Sequence, residues 1–477
     1  MRLKTLLKDH LELIKGSKDV VITGITSHSK KVAPGNLFIA KKGMTHNGSS
    51  FIAEALNGGA VCLLTDMYDP FLKGMSQIVS PNIEEIEALV ASRFYGHPTK
   101  KLFLVGVTGT NGKTTSTYMI KHLLDALNAS SGLIGTVEWI VGKQHLPSSH
   151  TTPDLMTNYK LFHDMVQNGC KAATMEVSSH ALVQGRVRGI EFDVAIFTNL
   201  TLDHLDYHGT IEHYAAAKAK LFSQCKVAVI NQDSPWASFM IEKCSSKVLT
   251  YGITSSSDVQ ALDIKLKADG TEFTVSYNQE KVLFKTSLIG RFNVYNALGA
   301  IAVCLAKGIS LQKIASLLSS FKSVQGRLER VENTKGIHVF VDYAHTDDAL
   351  SNVLLTLKEF AQGRLITVFG CGGDRDQAKR PKMGSVAEAL SDYVIVTSDN
   401  PRTEDPLQII KQILVGIKNP KHILVEPDRA EAIKKALRAA KPGDIVLIAG
   451  KGHETYQIFS DATLPFDDRE IVREHLR

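Results

Sequence analysis

The run Gly106-Val107-Thr108-Gly109-Thr110-Asn111-Gly112-Lys113-Thr114-Thr115 has the residue types a chain needs to wrap a phosphate. Small residues let backbone N–H groups surround an anion, and the N-terminus of a following helix adds partial positive charge. Lys113 can neutralise phosphate oxygens and Thr114 can ligate Mg²⁺. Strict G-x-x-x-x-G-K-[ST] wants glycine where Val107 stands, and Gly106 comes one place early. The plain alternative is a tight strand-to-helix turn. Glu176, in MEVSSH, and His204, in NLTLDHLDYHG, each follow a strand-like run and could converge on a metal beside the loop. A carboxylate suits a hard cation bridging phosphates, although a lone strand-end Glu or His more often caps or hydrogen-bonds.

Lys218 is chemically odder. In IEHYAAAKAKLF it shares a helical face with Ile211, Tyr214, Ala215, Leu221 and Phe222, while Lys220 points elsewhere. A buried ammonium is costly unless paired or altered, so this pattern by itself favours a head group that snorkels to water. Farther on, Ser398-Asp399-Asn400-Pro401-Arg402 follows the run YVIVT. Pro401 holds a rigid turn, Arg402 offers a planar fork for a carboxylate, and Asp399 offers an acceptor for an ammonium. GCGGDRD and AGKGHE would add Arg375 and Glu454 to the same rim, a set able to grasp an amino acid. Each is a weak signal alone, since charged loop residues are usually just solvated.

These residues need strands and helices to hold them. Leu102 to Val107 is apolar and β-branched, as a strand buried on both faces of a parallel sheet should be, and Ile120, Leu123, Leu124 and Leu127 then recur at helical spacing. KAATMEVS, DVAIFTNL and KVAVIN continue the alternation of strand and helix, and GTEFTVSYNQEKVLFKTS, from Gly270 to Ser287, predicts an added hairpin. Before them come VVITGIT, NLFIAKKG, AVCLLT and SQIVS, and FYGHPTKK reads as a linker. After them, GIHVFVDYA, RLITVFG, YVIVTSD, HILVE and DIVLIAG predict a second parallel sheet with ligands at its carboxyl edge. The expected units are 1–98, 99–330 and 331–477.

At 477 residues the chain is about three domains of the usual ~150 residues. With 44% hydrophobic and 22% charged residues it is ordinary globular material, neither disordered nor collagenous. Its 55 basic and 49 acidic residues leave a formal charge of +6, a mild bias toward small anionic ligands rather than the basic stripe of a nucleic-acid binder. Six scattered cysteines without a Cys-x-x-Cys pair indicate reduced cytosolic thiols instead of a zinc site or disulfide framework. The opening MRLKTLLKDHLELIKG mixes acids and bases unlike a signal peptide, and no window approaches the ~18 uncharged apolar residues of a membrane span. A cytoplasmic protein is expected.

GVTGTNGKTT, TTPD, EVSSHAL, NLTLDHLDYHG, YAAAKAKLF, GRFNVYNALGA, VDYAHT, GCGGDRD, SDNPR and AGKGHETYQ, in that order, closely resemble the Mur ligases of peptidoglycan synthesis over essentially the whole chain. The resemblance implies three α/β domains: a small mixed N-terminal domain for a UDP-sugar, a central doubly wound domain with the phosphate loop, and a C-terminal Rossmann-like domain for an amino acid. It also implies an ATP-dependent, Mg²⁺-requiring ligase working through an acyl phosphate, expected to be a monomer independent of membrane and nucleic acid. Gly109, Thr110, Asn111, Gly112, Lys113, Thr114 and Thr115 would hold ATP phosphates, with Asn293 and Asn296 near the adenine and Arg327 and Asp342 reaching the nucleotide. Thr114, Glu176, His204 and Lys218 would serve Mg²⁺, Lys218 as a carbamate, which replaces the snorkelling expectation.

For the sugar substrate, UDP-N-acetylmuramoyl-L-alanyl-D-glutamate, the resemblance points to Ser29, Thr151, Thr152, Ser178, Gln184 and Arg186. Arg375, Asp399, Asn400, Arg402, Gly450 and Glu454 match the pocket for the incoming amino acid. Asp-Asn-Pro-Arg is the form associated with meso-diaminopimelate, whose distal carboxylate and ammonium the two arginines and Glu454 could pair; lysine lacks that carboxylate. Two motifs depart from the family: His28-Ser29-Lys30 replaces Asp-Ser-Arg, and Asp347 replaces the proline after VDYAHT. The rivals are a lysine-adding sister ligase, a folylpolyglutamate synthetase and an ATP-binding switch without ligase activity.

Overall fold

The computed structural model describes residues 1–42, 47–267 and 269–476, so Gly43, at the end of the NLFIAKKG run, lies outside the described residues. Among those residues the chain builds sheets of five, eleven and six strands and a two-stranded ribbon. The first is parallel through Gly24–Thr26, Asn36–Ile39, Cys62–Thr65 and Ser76–Val79, with Ile14–Lys15 antiparallel at its edge. No helix among the described residues is long and apolar enough to cross a membrane.

The eleven-stranded sheet positions the phosphate loop. Phe103–Thr108, buried along nearly its whole length, runs parallel between Ala172–Glu176 and Phe192–Phe197. Polar groups that follow these three neighbouring strands therefore meet at one carboxyl edge. Helix Lys113–Ala126 leaves the loop and buries Ile120, Leu123 and Leu124 with Ala297 and Ile301 of helix Arg291–Ala306. Antiparallel strands close both ends of the sheet, and the hairpin expected from Gly270 to Ser287 is present as Gly270–Tyr277 paired with Glu280–Thr286.

In the six-stranded sheet, Ile445–Ala449 lies between His338–Asp342 and Leu365–Phe369, and Tyr393–Val396 pairs with the outer side of Leu365–Phe369. The segments AGKGHE, GCGGDRD and SDNPR thus leave three adjacent parallel strands on one edge. An ion pair beneath that edge, Arg429 with Asp468, has both side chains 0% exposed and makes two 2.8 Å bonds. Arg429 also donates to the carbonyls of Ser398 and Ala449, tying the C-terminal helix Asp468–Leu476 to two of the three rim segments. Asp468→Asn should lower unfolding free energy by about 3–5 kcal/mol, because it leaves a buried guanidinium without its counter-charge. Denaturant unfolding measures this, and a loss under about 1 kcal/mol would contradict it.

Candidate active site

Backbone geometry explains the glycines of the loop. Gly112 has φ +87°, and a Cβ there would sit 2.3 Å from Asn296 Oδ1. Gly109 is tighter, with 1.8 Å to Thr198 Oγ1. The loop is pinned from the neighbouring strand end: Thr110 N–H donates to Asn199 O, Asn111 N–H to Asn199 Oδ1, and Thr198 Oγ1 to Asn111 O at 2.6 Å. Lys113 Nζ folds back on the carbonyls of Gly109 (3.0 Å) and Thr110 (2.8 Å). Burial lowers its pKa, against the pull of Glu176 and Asp203.

Thr114 and Glu176, which the resemblance places at one metal, are hydrogen-bonded to each other. Thr114 Oγ1 donates to Glu176 Oε2 at 3.0 Å and accepts from Arg327 Nη2 at 3.1 Å. Glu176, 1% exposed, also accepts from the backbone N–H (2.8 Å) and hydroxyl (3.1 Å) of Thr136. Sequence inspection missed Thr136. Its only signal was a polar residue just past the strand Ser131–Ile134 and Gly135, where a Cβ would lie 2.6 Å from Glu176 Oε1.

A cleft of about 570 Å³ joins this loop to the third sheet, and Thr110, Asn111, Gly112, Lys113, Thr114, Thr115, Glu176, His204, Asn293, Asn296, Arg327 and Asp342 line it. Asn296 donates to Asn293 Oδ1 at 3.0 Å. Arg327 stacks 4.8 Å from the Tyr343 ring centre. Asp342 accepts from the N–H groups of Leu328 and Ala344, and burial raises its pKa against the pull of Arg327. Asp348, in the stretch that carries Asp347 in place of proline, reaches across to the loop: Asn111 Nδ2 donates to it at 3.1 Å and Thr201 Oγ1 at 3.2 Å. It lies in the first turn of helix Asp347–Lys358, where an acid is ordinary, so its own segment gives no sign of this reach.

His204 sits in the left-handed region (φ 54°), its Nε2 3.4 Å from Asp203 Oδ2. Desolvation lowers its pKa. Lys218 does not snorkel. It is 1% exposed, donates to Gly109 O at 2.8 Å, and lies 4.3 Å from the Tyr214 ring centre beneath the loop, outside the cleft lining. The apolar face of its helix packs inward along its whole length, and the loop covers the head group. Burial first, then Lys113, holds its pKa well below the lysine range. Among the described residues no three His, Cys, Asp or Glu side chains form a metal cluster. Even so, a buried carboxylate and a hydroxyl facing the loop are the oxygen donors a hard cation takes.

Five of the six sugar-site candidates form one hydrogen-bonded group beside Glu176. Thr152 Oγ1 donates to Glu176 O (2.8 Å) and lies 3.4 Å from Ser178 Oγ. Arg186 donates to Thr152 O and Gln184 Oε1, and Thr151 meets Thr136. Ser29 stands apart, on the turn Ser29–Lys31 of the first unit and outside the cleft lining.

All six amino-acid candidates gather at the rim of the third sheet. Asn400 donates to Glu454 Oε2 at 2.8 Å. Arg402 donates to Gly373 O at 2.7 Å, and Arg375 is exposed beside it. Gly450 lies against Asp399: a Cβ there would be 2.5 Å from Asp399 Oδ2. Lys451, not singled out within AGKGHE, is fully buried and donates to Asn400 Oδ1 (2.9 Å) and Glu454 Oε2 (3.1 Å).

Three family models match the chain: the Mur ligase family catalytic domain over residues 21–95, the Mur ligase middle domain over 107–304, and the Mur ligase glutamate ligase domain over 326–452. A protein of Caldanaerobacter subterraneus subsp. tengcongensis named UDP-N-acetylmuramoyl-L-alanyl-D-glutamate--2,6-diaminopimelate ligase is 46% identical, covering 100% of this chain and 99% of that one. A solved structure of a protein with that name is 35% identical with a TM-score of 0.74, covering 100% of this chain and 98% of its own. The MurF ligase of Thermotoga maritima, solved with ADP, shares the fold at 22% identity and a TM-score of 0.65 over 96% of this chain and 98% of its own.

Proposed function

We infer that this chain, which belongs to the Mur ligase family, is the ATP-dependent ligase that joins meso-diaminopimelate to UDP-N-acetylmuramoyl-L-alanyl-D-glutamate. One observation carries this most directly: a glycine-walled loop with a buried Thr114–Glu176 pair shares a cleft with residues of the third sheet, in a chain alike from end to end to a ligase of that name.

Forming an amide from a carboxylate in water is uphill, so the carboxylate needs a leaving group first. The D-glutamyl carboxylate attacks the γ-phosphorus of ATP, the bond to the β-γ bridging oxygen breaks, and ADP leaves. The amine of meso-diaminopimelate then attacks the acyl carbon, phosphate departs, and the amine's proton passes to solvent. Lys113 and the loop N–H groups of Gly109 to Thr115 cradle the triphosphate and offset its repulsion of the incoming carboxylate. Asn293 and Asn296 border the adenine, with Arg327 and Asp342 on the same nucleotide.

Mg²⁺ would be held by Thr114 and Glu176, with His204 and carbamylated Lys218 serving a second ion, and would supply charge neutralisation at the phosphoryl oxygens. Ser29, Thr151, Thr152, Ser178, Gln184 and Arg186 hold the sugar-peptide. Arg375 and Arg402 take the distal carboxylate, with Asp399, Asn400, Gly450 and Glu454 around the ammonium. Closing the third unit over the cleft excludes water, which would hydrolyse the acyl phosphate. The reaction is cytoplasmic and the enzyme a monomer.

Phosphate release from ATP tests this. It should require the sugar-dipeptide together with meso-diaminopimelate, and L-lysine should replace the latter poorly. Release indifferent to any amino acid would leave an ATP switch, and preference for lysine a sister ligase.

A further inference from the structure

The rim that would take the amino acid rests on a side chain that cannot touch it. Arg380, at the start of helix Lys379–Leu390, is 0% exposed. Its guanidinium forks onto Glu404, Nη1 to Oε2 and Nη2 to Oε1, both at 2.8 Å, and donates further to Gln412 Oε1 (2.5 Å) and Gly372 O (3.1 Å). The rim carries two unusual backbones. Asp374 (φ 52°) and Arg402 (φ 54°) are both left-handed without being glycine, a state that persists only where surroundings over-determine it.

Glu404 connects those two turns. Its Oε1 accepts the Asp374 N–H at 2.6 Å, and it stands two residues after Arg402. Asp374 answers by accepting from the Thr403 hydroxyl at 2.6 Å, Gly373 N–H donates to Asn400 O at 2.9 Å, and Arg402 Nη1 donates to Gly373 O at 2.7 Å. The fit leaves no slack: a Cβ on Gly373 would lie 1.8 Å from Pro401 O. Arg380 thus grips two turns of the rim, Gly372 directly and the Arg402 turn through Glu404.

We propose that Arg380 is a positioning residue for amino-acid selection: through its fork on Glu404 it fixes the turns that aim Arg402 and Arg375, so that they meet a distal carboxylate as a preset pair. This rests on the ligase function inferred above and adds to it where the specificity is held. A planar fork is required for the task, because a lysine supplies charge without two parallel bonds. Loosening a positioned group by about 1 Å can cost about 100-fold in rate or affinity.

Steady-state kinetics of the full-length enzyme on Glu404→Gln and Arg380→Lys, with meso-diaminopimelate and L-lysine as alternative amino acids, provide the test. In both variants KM for meso-diaminopimelate should rise about 10- to 100-fold, with KM for ATP and for the sugar-dipeptide within about twofold of wild type. The kcat/KM preference for meso-diaminopimelate over lysine should shrink about tenfold or more, a change that general destabilisation would not produce. Glu404→Gln keeps shape and most hydrogen bonds, and Arg380→Lys keeps the charge, so each serves if the other fails to fold. Unchanged preference in either folded variant, or all three KM values rising together, overturns the proposal while the wild-type ligase stands. Wild-type turnover indifferent to meso-diaminopimelate overturns the ligase inference, and this one with it.

Discussion

Lys218→Ala should lose turnover by about 1,000-fold or more, a barrier rise of about 4 kcal/mol, and regain part of it when a short carboxylate such as acetate or formate is added. The ammonium donates to the Gly109 carbonyl and faces the Tyr214 ring, contacts that favour a cation, but burial and the nearby Lys113 charge work against it. Burial favours the neutral amine, the form able to add CO₂; in the proposed carbamate a new N–C bond would form as one C=O π bond of CO₂ opens, one proton would leave to solvent, and an anion would stand where the uncharged amine was. Alanine removes that anion but leaves a space of side-chain size in which a small carboxylate can stand. Initial rates with and without the additive decide the matter. Undiminished activity in the variant would eliminate the carbamate.

What a sequence shows of such a site depends on how local the cause is. The loop from Gly109 to Gly112 was readable because a buried apolar run, a glycine-rich turn and a helical repeat follow one another within a few residues. The rim was readable as three weak polar segments. That they adjoin follows from strand order, with Ile445–Ala449 beside Leu365–Phe369 and Tyr393–Val396 next, which no single segment reveals. Lys218 shows the opposite case. Its helical face was legible, but whether the head group reached water depended on a loop more than a hundred residues earlier in the chain.

Thr136, Asp348 and Arg380 escaped notice for a related reason. Each acts through a partner distant in sequence: Glu176, the Asn111 side chain and Glu404. Ser29 is a different lesson, since it came only from a family pattern whose flanking residues here are His28 and Lys30. It stands on the turn Ser29–Lys31, away from the other five candidates, four of which bond to one another while Thr151 joins through Thr136. The hairpin at Gly270–Tyr277 and Glu280–Thr286, by contrast, was visible because alternation at period two is written entirely within its own residues.

Lys113→Met should abolish nucleotide-dependent chemistry while sparing the fold. Turnover should fall about 100- to 1,000-fold, as expected for losing one preorganised charge at the transferring phosphoryl group. The stem of methionine keeps the packing, and what disappears is a half-buried ammonium whose hydrogen bonds go to the carbonyls of Gly109 and Thr110. A cation so placed contributes little to stability, because its desolvation offsets two hydrogen bonds, so the midpoint of thermal unfolding without nucleotide should stay within about 2–4 °C of wild type. With ATP present the two proteins should separate: wild type gains stability in proportion to RT ln(1 + [ATP]/Kd), and the variant gains much less at the same concentration. Phosphate contact with Lys113 would draw the ammonium off those carbonyls, and that exchange is what the thermal shift reads. An equal ATP-induced shift in both proteins would mean that phosphate does not contact Lys113, and the cleft would lose its claim to be where the triphosphate is cleaved.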